Sequence, residues 1–207
     1  NIVLDVDVVS CTNFCFFIGE KVTKTILVTG GAGFIGSALI RLLLTENCSN
    51  IINLDALTYA GDTERLPDNE TVHTVRENIC DQELVAGLFY RYHPAIVFHL
   101  AAESHVDRSI DGPQAFVQTN VQGTLNLLQC ATQYWRNLSE SDQHGFRLIH
   151  ISTDEVYGSL SFGDKPFTEN SPYRPSSPYA ASKAASDHLV YSWWKTFNLP
   201  TIMTHCS

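Results

Sequence analysis

From Thr25 onward the chain alternates short, nearly unbroken apolar runs with longer stretches whose apolar positions recur every three or four residues. The runs Thr25–Thr29, Asn50–Asp55, Val72–Arg76, Ala95–Leu100, Arg147–Ser152 and Thr201–Thr204 predict strands. Their continuous hydrophobicity suits parallel strands covered on both faces, where in–out alternation would suit a half-solvated sheet. The intervening stretches predict helices over Phe34–Thr45, Asp81–Tyr92, Pro113–Arg136 and Pro178–Phe197. Leu125, Leu127, Leu128 and Ala131 give the third a broad apolar side. Repeated βα units of this kind predict an α/β fold, a doubly wound parallel sheet with helices on both faces.

The first strand runs into Thr29-Gly30-Gly31-Ala32-Gly33-Phe34-Ile35-Gly36, and a helical stretch follows. Glycines between a strand and a helix let backbone amides approach a pyrophosphate at a helix N-terminus, where the dipole favours anions. The spacing here is G-x-x-G-x-x-G, through Gly30, Gly33 and Gly36. Asp55 closes the second strand, about twenty residues beyond the turn, where a carboxylate accepts hydrogen bonds from ribose hydroxyls and repels a 2′-phosphate. The combination predicts a Rossmann domain that takes NAD in preference to NADP. His99-Leu100-Ala101-Ala102 ends the fourth strand on small residues, leaving room for a nucleotide. His99 itself is expected to be a hydrogen-bonded core residue, since no second His or Cys stands at metal-ligand spacing to it.

At 207 residues the chain can hold one domain with a substantial core. A net charge of −9 argues against non-specific attraction to nucleic acid or an anionic membrane. The six cysteines form no CxxC pair, which fits reduced thiols in a cytoplasmic protein and no metal site. Residues 1–23 have neither a basic leader nor a bilayer-length apolar run, and are expected to be an appendage without assigned function; residues 24–207 form the dinucleotide-binding domain. No later segment predicts a transmembrane helix. The Pro/Ser-rich loop from Gly163 to Pro178 is long enough to suggest a substrate-covering role.

Ser152-Thr153-Asp154-Glu155 stands where the fifth strand runs out, and Tyr179-Ala-Ala-Ser-Lys183 opens the last helix. Tyr179 and Lys183 are one helical turn apart and share a face. An adjacent ammonium and a positive nicotinamide ring are expected to lower the phenol from its ordinary value near ~10, so that it can serve as a base. Strand alternation would send Asp154 away from Thr153 and Glu155, so the three converge only if the chain turns there, as Gly158 allows.

Taken together these residues resemble the extended short-chain dehydrogenase/reductase family, and within it the dTDP-glucose 4,6-dehydratases. The resemblance runs from Lys24 to Ser207 and is carried by TGGAGFIGS at Thr29–Ser37, DALTYAG at Asp55–Gly61 and HLAAESHVDRSI at His99–Ile110. TNVQGTLNLL from Thr119, STDEVYG from Ser152 and SPYAASKAASDHLV from Ser177 extend it. It implies that Tyr179, with Lys183 and Thr153, deprotonates the glucose 4-hydroxyl as hydride leaves C4. It further implies that Glu155 removes the C5 proton and Asp154 protonates the departing C6 hydroxyl, the two carboxylates having divergent pKa values.

The implied cofactor contacts are Gly30, Gly33, Phe34, Ile35 and Gly36 at the pyrophosphate, and Asp55, Ala56, Leu57 and Thr58 at the ribose. Asn78 and Ile79 are assigned to the adenine, and Leu100, Ala101, Ala102 and Thr119 to the remainder; Ser104, Thr153 and Glu155 are assigned to the sugar nucleotide. The sequence departs from the family at Asn78 and His205, usually Asp and Asn. The family also continues beyond this chain through a domain that grips the nucleotide. That C-terminal substrate domain is expected to be missing here, leaving little activity and an exposed apolar surface. The resemblance implies a homodimer built on Pro113–Arg136 and Pro178–Phe197. A UDP-glucose dehydratase, a sugar-nucleotide epimerase and a non-catalytic NAD-binding module remain alternatives.

Overall fold

The computed structural model describes residues 24–46 and 50–206. The expected appendage at residues 1–23, with Cys11, Cys15 and Cys48, lies outside the described residues. The described residues hold a six-stranded parallel sheet in the order β3-β2-β1-β4-β5-β6. Its strands are β1 (Thr25–Thr29), β2 (Asn50–Asp55), β3 (Val72–Arg76), β4 (Ile96–His99), β5 (Arg147–Thr153) and β6 (Thr201–Cys206). This is the doubly wound α/β arrangement that the apolar runs predict.

Adjacent residues of β1 show why those runs are unbroken. Ile26 and Val28 pack with Ile40 and Leu43 of α1 (Phe34–Thr45) on one face. Leu27 faces the opposite layer, with Val85 and Phe89 of α2 (Gln82–Tyr92) and Leu127 and Leu128 of a later helix. All three strand residues are at most 1% exposed. Burying each such side chain contributes roughly 1.5–3 kcal/mol.

Several boundaries shift, β5 running on to Thr153 and β6 to Cys206. Asp81, expected inside α2, instead caps it by accepting a hydrogen bond from the Leu84 amide at 3.0 Å. β4 is shorter than Ala95–Leu100, although the amides of Ala95 and Leu100 still bond to the carbonyls of Thr25 and Thr29 at 3.0 Å. Two short helices, α3 (Val106–Asp111) and α6 (Glu140–Gly145), have no apolar periodicity and are not evident in the pattern. The helix expected over Pro113–Arg136 is continuous but composite: α4 (Pro113–Phe116), a π-helical turn (Val117–Gly123) and α5 (Thr124–Arg136). Such wide turns inside helices are frequent at functional sites. α7 (Pro178–Phe197) begins on Ser177, whose hydroxyl accepts from the Ala180 amide, and ends at left-handed Asn198. No helix among the described residues is long and apolar enough to cross a membrane.

Candidate active site

The sheet reverses its direction of winding at β1, which lies between β2 and β4, and a cavity of about 490 Å³ opens there at the carboxyl ends of the strands. Open α/β sheets bind ligands at this switch point. Gly30 makes the turn out of β1 with φ 75°, a left-handed conformation costly for any residue bearing a Cβ. A Cβ there would also meet the backbone of Ala101 at 2.7 Å. At Gly36 it would collide with the Gly30 carbonyl. The turn is anchored by the Gly31 amide donating to Asn53 Oδ1 at 2.9 Å and the Ala32 amide donating to Asp55 Oδ2 at 2.8 Å. α1 starts beyond Gly33 with no side-chain cap and no acid in its first turn. Its N-terminal dipole end is therefore left to whatever occupies the cavity, which Gly33, Phe34, Ile35 and Gly36 line.

On the β2 side the cavity is walled by Asp55, Ala56 and Thr58. Asp55 holds this wall in place, because its second oxygen accepts from the Leu57 amide at 2.8 Å. A carboxylate has about four acceptor sites, so both oxygens remain able to accept from a ribose. Leu57, expected to contact the cofactor, does not line the cavity; its backbone is left-handed, at φ 49°, where the loop bends under Asp55. Asn78 and Ile79 close the far end, with the Asn78 carbonyl oxygen accepting from the Cys80 amide at 2.9 Å. Leu100, Ala101, Ala102 and Ser104 form the β4 side, and Thr119 of the π-helical turn joins them. The Arg108 guanidinium lies 3.7 Å from the centre of the Tyr59 ring, linking α3 to the loop after β2. His99 is the core residue expected: its ring nitrogens lie 2.9 Å from Thr29 Oγ1 and 2.8 Å from Thr124 Oγ1.

β5 ends at Thr153, and the chain immediately turns through a 3₁₀ segment, Asp154–Tyr157. Thr153 caps that segment, its hydroxyl accepting from the Glu155 amide at 3.3 Å. The chain therefore does turn at Asp154, where continued strand alternation would have sent that residue away from Thr153 and Glu155. Tyr179 and Lys183 both line the cavity, with Ile151 and Ser152 beside them. The Thr153 hydroxyl and the Glu155 carboxylate both lie close enough to the Tyr179 phenol to act on its ionisation. Glu155 is itself raised above the ordinary carboxylate range, first by burial and then by the charge of Asp154. A raised value makes Glu155 a stronger proton acceptor once ionised. Thr153, Asp154 and Glu155 do not themselves line the cavity, but Thr153 and Glu155 act on the Tyr179 phenol at its edge and Asp154 acts on Glu155, a set that can move protons on and off a bound polyol.

Of the two cations expected to lower the Tyr179 phenol, Lys183 does not do so. Burial and the charge of Glu155 push the phenol up to about 12, and only the nearby Thr153 hydroxyl opposes them. Lys183 does not reverse the shift because its ammonium is turned to the strand, donating to the Ile151 carbonyl at 2.6 Å. Its own value is brought down to about 8 by burial.

Several cavity residues were given no role by the sequence reading: Arg65 and Glu77 lie outside the quoted motifs, while Glu103 and Ser152 lie within them. Asn120, within TNVQGTLNLL, was likewise given none. Its side chain bonds both backbone groups of Glu103 and reaches Ser182 Oγ at 2.8 Å, joining the π-helical turn to α7. Among the described residues no group of His, Cys, Asp and Glu is arranged to hold a metal.

Residues 27–207 match the family model described as GDP-mannose 4,6 dehydratase. The dTDP-glucose 4,6-dehydratase of Neisseria meningitidis is 52% identical over 187 residues, covering 89% of this chain and 53% of that protein. That of Haemophilus influenzae is 53% identical over 185 residues, covering 88% of this chain and 55% of its own length. The chain therefore spans about half the length of the curated relatives it matches. Among solved structures, DesIV, a dTDP-glucose 4,6-dehydratase of Streptomyces venezuelae with NAD bound, superposes with a TM-score of 0.79 at 43% identity, over 88% of this chain and 55% of that one. The UDP-glucose 4-epimerase of Thermus thermophilus, in complex with NAD, gives 0.76 at 34% identity, over 87% and 54%. A sheet wound about a glycine turn, a Tyr–Lys helix beside it and a model match across nearly the whole chain lead to one conclusion: the chain belongs to the GDP-mannose 4,6 dehydratase family.

Proposed function

We propose that residues 24–207 form the NAD-binding, catalytic part of a dTDP-glucose 4,6-dehydratase, a lyase that forms the 4-keto-6-deoxy sugar nucleotide. The observation carrying this reading is the capped turn that brings Glu155 within reach of the Tyr179 phenol, with Asp154 next to it in the chain. An epimerase, which eliminates no water, has no use for two carboxylates there. The curated relatives bear the dehydratase name, and the DesIV structure holds NAD together with dTDP.

NAD fits the residues present. The glycine turn offers a bare backbone surface, since side chains at Gly30 or Gly36 would strike neighbouring backbone. The uncapped end of α1 would hold the pyrophosphate, Asp55 and Thr58 the ribose, Asn78 and Ile79 the adenine, and Leu100–Ala102 with Thr119 the remainder. A 2′-phosphate would meet the Asp55 carboxylate, which favours NAD over NADP. When bound, NAD supplies the acceptor for the C4 hydride and returns that hydride at C6.

In this mechanism Tyr179 takes the 4-hydroxyl proton, oriented by Thr153, while Lys183 holds positive charge behind it. The ketone so formed acidifies the C5 proton, which Glu155 removes as Asp154 donates a proton to the departing C6 hydroxyl. Ser104 is placed to contact the sugar nucleotide. The reading includes a cytoplasmic location and a homodimer built on residues 113–136 and 178–197, whose outer positions include half-exposed Val117 and Tyr191.

Incubation of the chain with NAD and dTDP-glucose, followed by the absorbance of the keto sugar in alkali, tests the reading. Turnover with dTDP-glucose supports it, and preference for UDP-glucose would reassign the nucleotide. Cofactor binding without turnover of either sugar would leave a non-catalytic module in its place.

The phenol supplies a second test. With a value of about 12, Tyr179 is ionised to roughly one part in ten thousand at pH 8. A cation placed beside it favours phenolate, so added NAD should move its ultraviolet titration to lower pH. The base would then be gained as pH rises through the lowered value. A titration unmoved by saturating NAD would remove Tyr179 from the role of base.

A further inference from the structure

Behind the cavity lies a second buried polar cluster that the proposed mechanism does not use. Its centre is Asp187, one helical turn beyond Lys183 on α7 and 1% exposed. Four side chains from three elements converge on this carboxylate. From β5, Ser152 Oγ donates at 2.8 Å and His150 Nε2 at 3.1 Å. From the loop before α7, the Tyr173 hydroxyl donates at 3.1 Å, and from β6, His205 Nε2 lies at 3.3 Å. His150 Nδ1 is buried with no hydrogen-bond partner, so His150 is a neutral ring whose one proton points at Asp187.

The cluster reaches the catalytic turn. His205 Nδ1 lies 3.2 Å from the hydroxyl of Tyr157, the last residue of the 3₁₀ segment that carries Asp154 and Glu155. The Tyr157 ring packs edge-on against Tyr173, with centroids 5.3 Å apart. The Arg174 amide donates to the Val156 carbonyl at 2.9 Å, stitching the loop to the same turn. Ser152 directly precedes Thr153. One carboxylate is therefore bonded, directly or through one ring, to both ends of the acid–base turn.

We propose that Asp187 is a positioning residue for the reaction: its buried carboxylate fixes the Thr153–Tyr157 turn against α7 and balances the charge of the Lys183 ammonium. An isolated buried carboxylate would take up a proton rather than remain charged. Here burial is outweighed by hydrogen bonds from His150, His205 and Ser152, which hold Asp187 well below the ordinary carboxylate range. Its charge supports the ammonium against desolvation, since Lys183 is lowered by burial and raised by Asp187 and by Cys206.

The groups facing this pair come from every adjoining element. Tyr179 stands on α7, His99 on β4, His150 and Ser152 on β5, His205 and Cys206 on β6, Tyr173 on the loop, and Asp154, Glu155 and Tyr157 on the turn. Both histidines at the back are kept neutral by burial first and by Lys183 among the further causes, with His150 at about 4. Among the described residues this leaves Asp187 as the carboxylate held behind Lys183.

The test is Asp187→Asn, which keeps the shape and removes the charge. Lys183 should then titrate below its present value of about 8, followed by NMR of labelled lysine in the sugar-free chain. The Tyr179 phenol should also titrate lower, because Asp187 is one of the charges raising it. NAD affinity should change by less than about threefold, because Asp187 does not line the cavity. Where turnover is measured, kcat should fall about 10- to 100-fold at unchanged KM, the scale of losing an outer partner that orients functional side chains. Both limbs of its pH profile should move to lower pH.

A purely structural role would lower thermal stability without moving either titration, and that result overturns the proposal. Should Asp187→Asn fail to fold, Tyr173→Phe removes one donor and leaves the carboxylate. It should cut kcat several-fold while leaving the lysine titration in place; a moved titration or an unchanged kcat would count against the assignment. The kinetic arm rests on the dehydratase reading. The titrations require no sugar, so a chain inactive on dTDP-glucose can still confirm or refute the role of Asp187.

Discussion

Replacing Glu155 with Gln is expected to reduce formation of the 4-keto-6-deoxy sugar by at least ~10²-fold, the scale of losing a general base. NAD binding should be unchanged, because Glu155 does not line the cavity assigned to the cofactor. The amide keeps the size of the side chain and the amide-capped start of the 3₁₀ turn, but cannot accept the C5 proton. A specific readout is exchange of the C5 hydrogen with solvent deuterium, followed by NMR of the sugar nucleotide. The wild-type chain should exchange it, and the variant should not. The same substitution removes a charge that raises the Tyr179 phenol, so phenol titration should move to lower pH while elimination is lost. Full exchange in Glu155→Gln would transfer the role of base to another group, and Asp154 would be examined first.

Gly30→Ala is expected to damage both the stability of the domain and its cofactor site. The residue sits at φ 75°, where a Cβ costs roughly 1–2 kcal/mol. That Cβ would also lie 2.7 Å from the Ala101 amide nitrogen and 2.8 Å from its Cα, both backbone atoms of the adjacent strand exit. Overpacking of this kind costs typically about 1–3 kcal/mol, so a total loss of roughly 2–5 kcal/mol is expected from the two effects. Denaturant unfolding measures it. Relief of the clash requires β1 and the strand exit at Ala101 to move apart, which widens the cavity, so NAD affinity should fall with stability. A control at Gly87, where an added Cβ meets nothing within 4 Å, should leave both properties intact.

The sheet was legible because both of its faces are buried. Every position of β1 from Ile26 to Thr29 must be accommodated in a core, so no alternating pattern obscures the strand. The glycine turn and the Tyr179–Lys183 spacing were legible because they depend on local geometry, one on backbone room and the other on a helical repeat. Convergence of Thr153, Asp154 and Glu155 was legible only as conditional on a turn after the strand, and the 3₁₀ segment supplies that turn. The electrostatics were not legible. Tyr179 and Lys183 share a helical face, yet the ammonium finds the Ile151 carbonyl, a partner 32 residues away in the chain. Asp187 was missed for a similar reason. A carboxylate four positions after a lysine reads as a solvated helical pair, and only the packing of β5, β6 and the loop reveals that it is buried. Leu57 falls outside the cavity lining because a motif gives the order of residues along a loop, without the direction in which the backbone bends.

The strand order also bears on how the molecule reaches its native state. Among hydrogen-bonded neighbours, β1 and β4 have the greatest separation along the chain, with Ile26 opposite Ile96, whereas Ile26 stands opposite Ile51 in β2. Closing the longer loop costs more entropy, and non-local parallel pairings form slowly. The cavity opens at that same seam. During refolding, capacity to take up a dinucleotide should therefore return only as fast as this most distant pairing, behind the local βα units that flank it.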